Sequence, residues 1–483
     1  MFADTATPCS RHRTSRCFTG PHLGGFYARG YTMRHASGNT RMKFIAGAVL
    51  LCLASAGAHA ATVVAGGATL PAVGYAGFGT SSRLMTPSAT SYLGVYSAAH
   101  SSVSISYCQT GSGAGKNVLA NFNGNNVAIA CVVPSPSTNP VGFGGTGLTQ
   151  PHFVGSDSPL STGDYNNYQN GRTDTGHQPV QVPAVSGAIS IAYNQPNITA
   201  LKLNEDQLCR IFSGDIKTWN DSRLTSAITL KSGTTVPTTG INVVYRADGS
   251  GTSFSLSNHL TAKCGTASVV DPTGANGFHA NGAAPNFKTD QAFATAAAAY
   301  IANYSSSTAA SGNQGVVDAV VGTTGTIGYA EAANSVNSGA QIASLKNDVD
   351  SSQTSPATYG GTKLPVATTD DMVISATLGA GGRALLTGLP STPVVAGCVK
   401  VVDPAKYATP AAGYPIVAVS YLLGNRTGNG TQLANVKGIL LGVYDATPTT
   451  GLQAKTKTIG TNTGLSFLSV SPAISSLDTC VVN

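Results

Sequence analysis

Tyr245-Arg-Ala-Asp-Gly-Ser-Gly-Thr-Ser-Phe254 has the pattern of a strand running into a helix through a glycine turn. Ahead of it, Ile241 to Tyr245 is apolar apart from Asn242, and the polar loop 234–240 precedes it. Behind it, Ser253 to Leu260 fits a helix. The small residues between turn several free backbone N–H groups toward one point, and the helix start adds its positive dipole end. The hydroxyls of Ser250 and Thr252 add donors. Arg246 adds a planar cation that can grip an oxyanion through two parallel hydrogen bonds. Asp248 is a carboxylate beside an anion site, and it reads as the partner that holds the Arg246 guanidinium.

Two further junctions of this kind lie upstream. A short strand at Val63–Val64 leads into Ala65-Gly-Gly-Ala-Thr-Leu-Pro71, where Pro71 fits the first turn of a helix. Thr69 and Leu70 then stand at that helix start. Val103 to Tyr107 alternates as a strand does, runs into Gln109-Thr-Gly-Ser-Gly-Ala-Gly-Lys-Asn117, and is followed by a helix over 118–122. Ser112 sits at that turn. Lys116 is expected as a solvated helix lysine, because the spacing of a Walker A loop is absent. If the three junctions converge, neutral donors surround one small anion. In His152-Phe-Val-Gly-Ser-Asp-Ser-Pro-Leu160, Phe153 and Val154 end a strand and Asp157 sits at its tip. A carboxylate repels a fully ionised anion but accepts a proton from a protonated one, which favours phosphate over sulfate.

The chain has 483 residues, of which only 10% are charged, with 57 glycines. That suits an exported protein rich in tight turns and argues against a nucleic-acid binder. Residues 1–60 hold seven of the 27 Lys and Arg but one acid, Asp4, so 20 basic and 19 acidic residues remain and the apparent +7 disappears. The segment from Met42 to Ala60 resembles a secretory signal: a positive start, an apolar run too short for a membrane span, and a small-x-small end at Ala58-His59-Ala60. Residues 1–60 are therefore set apart as extension and leader. Cys52 lacks the small preceding residue of a lipidated cysteine. Six cysteines remain, Cys108, Cys131, Cys209, Cys264, Cys398 and Cys480. An even number in an exported chain reads as disulfides, and the sequential pairing is expected.

Residues 123–150 read as a surface excursion anchored by Cys131, and Val180 to Tyr193 as a strand crossing to a second lobe. Helices are expected over 204–212, 291–304, 315–321 and 432–444, strands over 326–329 and 414–423, and a loop over 350–372. Trp219 is expected to pack. Alternating strands and helices imply an α/β protein with largely parallel sheets.

These motifs resemble the phosphate-binding proteins of the high-affinity phosphate ABC transporter, in particular the DING-type branch. The matching pieces, in the family's order, are Gly66-Gly-Ala-Thr-Leu-Pro71, Gly111-Ser-Gly113, Gly155-Ser-Asp-Ser-Pro-Leu-Ser161 and Ile211-Phe-Ser-Gly-Asp-Ile-Lys-Thr-Trp-Asn-Asp221. Tyr245-Arg-Ala-Asp-Gly-Ser-Gly-Thr252, Gly325-Thr-Ile-Gly-Tyr329 and Gly413-Tyr-Pro-Ile416 complete the set. The resemblance implies a type II periplasmic binding protein fold: two α/β lobes joined by a hinge, with phosphate in the cleft. Lobe 1 is expected over 61–180 with a return over 366–483, and lobe 2 over 181–365. It further implies phosphate contacts from Thr69, Leu70, Ser112, Asp157, Arg246, Ser250, Gly251 and Thr252, with Asp248 orienting Arg246. Leu70 stands where many members have Phe, and the mature start does not spell DING. The expectation is a periplasmic monomer without metal or other cofactor, feeding an ABC permease in the inner membrane. Two other readings stay open: a secreted DING-like phosphomonoesterase, and a phosphate scavenger without a permease. The scattered histidines and the serines without an evident base speak against the enzyme, although a cleft for phosphate also binds a phosphatase's product.

Overall fold

Sixteen residues in one strand, Pro179–Asn194, join two halves of the molecule. The run is nearly all buried, with Val180, Val182, Val185, Ile189 and Ile191 in the core, so it carries the continuous apolar signature of a strand covered on both faces. The computed structural model describes residues 61–78, 83–100, 103–120, 131, 143, 150–172, 178–264, 287–353, 398–460, 463–468 and 478–482. The leader expected over 1–60, nearly all of the 123–150 excursion and most of the 350–372 loop lie outside the described residues.

The strands are β1 (Ala61–Gly67), β2 (Leu84–Met85), β3 (Val103–Gln109), β4 (Phe153–Ser156), β5 (Pro179–Asn194), β6 (Ile198–Leu203) and β7 (Ile228–Leu230). They continue with β8 (Asn242–Arg246), β9 (Ser306–Ala310), β10 (Thr326–Glu331), β11 (Gln341–Ile342), β12 (Ser344–Leu345), β13 (Val417–Asn425) and β14 (Leu465–Phe467). The helices are α1 (Ala72–Ala76), α2 (Tyr92–Ala99), α3 (Ser112–Leu119), α4 (Thr162–Gly171), α5 (Glu205–Phe212), α6 (Gly251–Lys263), α7 (Phe293–Ala296), α8 (Gly312–Gly322) and α9 (Ala332–Asn337). Further helices lie at Pro404–Ala408, Leu433–Gly442 and Leu452–Lys455.

The main sheet runs β2-β3-β1-β4-β13-β5-β10-β8-β9. β5 pairs antiparallel with β13 from Pro179 to Ala188, then with β10 from Ile189 to Asn194. One half-sheet therefore ends, and the other begins, within a single strand. In the first half β1, β3 and β4 are parallel, with Gly67 opposite both Gln109 and Gly155. In the second, β8 is parallel to β9 and β10, with Arg246 opposite Ala310. Parallel strands end on the same side, so the loops after β1, β3 and β4 cluster, and so do those after β8 and β9. In open α/β sheets these carboxyl ends border the ligand crevice.

The α/β alternation read from the sequence stands, but the expectation of largely parallel sheets does not: the long strands β5 and β13 pair antiparallel with each other and with β10 and β4, so the main sheet is mixed. The helix expected at 204–212 is α5, with Asn204 and Gln207 forming a capping box. Trp219 is fully buried and donates from its indole N–H to the Gly325 carbonyl at 3.1 Å. The three disulfides are sequential, with Cα separations of 6.1 Å for Cys108–Cys131, 5.5 Å for Cys209–Cys264 and 5.4 Å for Cys398–Cys480.

Two further expectations fail. The alanine-rich run 291–304 is not one helix. After α7 ends at Ala296, turns and a short 3-10 segment at Ile301–Asn303 follow. Phe293 packs against Phe212 and Tyr329, Tyr300 against Phe287, and the Tyr304 hydroxyl donates to the Phe212 carbonyl at 2.6 Å. These contacts outweigh the small helix preference of alanine. Lys116 is not solvated: it is buried and pairs with Asp164 at 2.6 Å, with Ser158 Oγ at 3.3 Å. Burial pushes the Asp164 carboxyl up, yet the Lys116 charge and the Ser161 hydrogen bonds hold it below the usual range. The pair ties α3 to the start of α4 and fastens the loop that carries Asp157.

Candidate functional site

The loops at the carboxyl ends of both half-sheets meet. Gly113 of α3 donates its N–H to the Gly249 carbonyl at 3.0 Å. Ser112 stands at the centre of the meeting. Its Oγ accepts the N–H of Asp157 and the N–H of Gly251, both at 3.1 Å, and lies 3.4 Å from Asp157 Oδ2. Gly251 has to be glycine: a Cβ there would fall 2.3 Å from that of Asp157. A loop from each half thus closes on one hydroxyl and one carboxylate.

Arg246 is the last residue of β8 and is almost completely buried. Its Nε donates to Asp248 Oδ1 at 2.8 Å and its Nη2 to Asp248 Oδ2, so Asp248 is the expected partner, but the two parallel hydrogen bonds that the sequence reading assigned to an oxyanion go to this carboxylate instead. Nη1 reaches Thr69 Oγ1 and Asn313 Oδ1, both at 3.2 Å. The Arg246 backbone N–H donates to the Tyr329 hydroxyl at 3.2 Å, which in turn shares a hydrogen bond with Ser253 Oγ at 2.6 Å. That chain fixes the strand end against the start of α6. Burial alone would raise the Asp248 carboxyl, but the Arg246 charge and the Gly312 N–H at 2.9 Å hold it below the usual range. Arg246 and Asp248 therefore form a neutral pair.

Asp157 follows β4 and is almost completely buried. Burial pushes its carboxyl up to about 7, against the downward pull of the Ser420 hydroxyl, the Arg246 charge, the Ser112 hydroxyl and the Leu70 N–H. Near neutral pH it is poised between carboxylate and acid. Ser250 caps α6, accepting the Ser253 N–H at 3.2 Å. Thr252 is fully buried. Among the described residues, the buried Thr252 Oγ1 and Asn313 Nδ2 here have no hydrogen-bond partner. Unpaired polar atoms of this kind are costly, and they mark the surroundings of a polar ligand.

All eight residues expected to touch the ligand, with Asp248, are drawn into this one cluster of loops. Asn313 was missed. Its signal is Ser311-Gly-Asn-Gln-Gly315, a further glycine turn into a helix, disguised because β9, Ser306 to Ala310, has no apolar residue larger than alanine. β9 is mostly exposed and is held by its parallel pairing with β8. Among the described residues, no three His, Cys, Asp or Glu side chains group as a metal site.

Comparison with known proteins agrees with this architecture. Residues 63–423 match the family model described as the PBP superfamily domain. The protein named alkaline phosphatase L from Pseudomonas aeruginosa is 30% identical over 316 residues, covering 65% of this chain and 68% of that one. The solved structure of a phosphate-binding protein from Stenotrophomonas maltophilia superposes with a TM-score of 0.54 at 26% identity, over 85% of this chain and 91% of that one. A DING protein structure superposes with a TM-score of 0.54 over 86% and 92% of the two chains; at 21% identity it speaks to the fold alone. The chain belongs to the PBP superfamily and has its two-lobed α/β fold, with the loops of both lobes converging on Ser112, Asp157 and Arg246.

Proposed function

We propose that this protein captures inorganic phosphate in the cleft between its two half-sheets and acts as an extracytoplasmic solute-binding protein. The observation that carries the reading is the pairing of opposites in one buried site: the neutralised Arg246–Asp248 pair on one side, and on the other Asp157, its carboxyl raised by burial to about 7. A site with almost no net charge and many donors holds a dehydrated oxyanion, and an acceptor carboxylate selects the anion that still carries a proton. Thr69, Leu70, Ser112, Ser250, Gly251 and Thr252 supply neutral donors, Arg246 the charged contact, and Asp248 holds Arg246 in place. The half-sheets are the two lobes, and the chain passes from one to the other within β5. The three disulfides fit an oxidising compartment, and the resemblance to transporter phosphate-binding proteins extends the reading to delivery to an ABC permease.

Capture is preferred to turnover, although one relative bears a phosphatase's name. Ser112 Oγ, 3.4 Å from Asp157 Oδ2, already accepts two backbone N–H groups and serves as a clasp between the lobes. The test is calorimetric titration of the purified, phosphate-stripped protein with phosphate and with sulfate, alongside an assay of phosphomonoester hydrolysis. Tight phosphate binding, no sulfate heat and no sustained hydrolysis are expected. A folded, stripped protein that binds neither anion overturns the reading, and multiple turnovers move it to the enzyme.

A further inference from the structure

We propose that Asn313 is a further ligand-binding residue of this site, its Oδ1 steadying Arg246 and its Nδ2 donating to the bound oxyanion. The proposal rests on the phosphate reading above and adds a contact to it. Asn313 is the second residue of α8, an 11-residue helix that follows the parallel edge strand β9. The first turn of this helix grips both members of the Arg246–Asp248 pair. The Gly312 N–H donates to Asp248 Oδ1 at 2.9 Å, with Gly312 at a φ of 71°, a conformation that glycine adopts without strain. Asn313 Oδ1 then accepts from Arg246 Nη1 at 3.2 Å.

The amide orientation follows from chemistry. A guanidinium has donors only, so the Asn313 atom that faces it is the oxygen, and the NH2 faces elsewhere. That NH2 is buried, the residue is fully enclosed, and among the described residues no atom accepts from it. A fully buried donor left unpaired is destabilising, so the group is placed to donate to a bound ligand. Its neighbourhood names the kind of acceptor. Arg246 Nη1 is shared between Asn313 and Thr69, which comes from the opposite half-sheet, and Thr252 Oγ1, at the start of α6, is a second buried polar atom without a partner among the described residues. A tetrahedral oxyanion held by Arg246, Thr69 and Thr252 presents an oxygen on the side of α8. Asn313 adds a donor there without adding charge, which keeps the site close to neutral.

Titration of phosphate into the purified protein and into the variants Asn313→Ala, Asn313→Asp and Arg246→Gln tests this. N313A is expected to weaken phosphate by about tenfold or more, the effect of one hydrogen bond to a charged group. N313D keeps the shape and the oxygen that faces Arg246 but replaces the donor by a carboxylate, and it is expected to bind more weakly than N313A. A residue that only steadied Arg246 would give the opposite order. A loss of less than fivefold in N313A, or tighter binding by N313D than by N313A, overturns the proposal. Wild-type protein that fails to bind phosphate removes the reading of the site itself. Wild-type binding that is lost in R246Q but kept in N313A removes Asn313 alone.

Discussion

Residues 61–172 and residues 242–322 end their parallel strands at the same cleft, but they carry different electrostatics. The first region offers Thr69, Leu70 and Ser112 as neutral groups and one ionisable side chain, Asp157, with its carboxyl pushed up by burial. Its nearby cation, Lys116, is spent on Asp164. The second region offers the Arg246 guanidinium, already matched by Asp248. Attraction therefore resides on one side of the cleft and discrimination on the other, and the two properties should separate under mutation.

The largest effect is expected from Arg246→Gln. It removes the charged contact and leaves Asp248 buried without its partner, so phosphate binding should weaken by roughly 3–5 kcal/mol. Calorimetry that finds less than a tenfold loss would place attraction elsewhere. Stability divides the two regions as well. Cys209–Cys264 joins α5 to the end of α6 and closes a 55-residue separation, whereas Cys108–Cys131 closes 23. On a chain-entropy account, Cys209→Ala with Cys264→Ala costs roughly 4 kcal/mol, and the first-region pair somewhat less, about 3 kcal/mol. Denaturant unfolding of the two double variants checks the order, and equal or reversed losses would show that the loops are not what these bridges constrain.

A third test uses pH on the ligand-free protein. Burial raises Asp157 to about 7 and Glu331, on β10, to about 8. Both carboxyls in the folded state hold protons that the unfolded chain has released, so stability should fall as pH rises from 6.5 to 8.5. The expected drop is on the order of 2 kcal/mol. His152 and His259, both lowered by burial, act in the opposite sense but below about pH 6.5. Melting temperature should therefore decrease across that window, with a shallower slope in Glu331→Gln; a flat or rising profile in the wild type would contradict the burial argument. The smallest effect is the most specific. Asp157→Asn should retain phosphate binding in weakened form while sulfate binding improves by about tenfold, since the repulsion is gone and the amide offers a donor. Unchanged exclusion of sulfate in competition titrations would remove Asp157 from selectivity.

Much of this site could be read in the sequence because its chemistry is local. Thr69, Ser112 and Ser250 each follow a strand within a few residues and sit in glycine-rich turns, and Arg246 and Asp248 are neighbours in the chain. Asn313 escaped because β9 is an edge strand whose order comes from β8, not from its own composition. Lys116 was misjudged because Asp164, its partner, is 48 residues away and nothing in the chain announces that contact. The 291–304 run was misjudged because aromatic contacts to α5 and β10 overrule alanine. The strand at Val180–Tyr193 was legible as a crossing, but the point where its partner changes depends on β13 and β10, which lie far along the chain.

The order of the disulfides has a consequence for how the chain is made. Cys108–Cys131, Cys209–Cys264 and Cys398–Cys480 neither nest nor cross. In a chain that emerges from its N-terminus and is freed of residues 1–60, both cysteines of each pair are out before the next pair begins to appear, so each of the six thiols can meet its own partner first. Oxidation in order of emergence then favours the native connectivity.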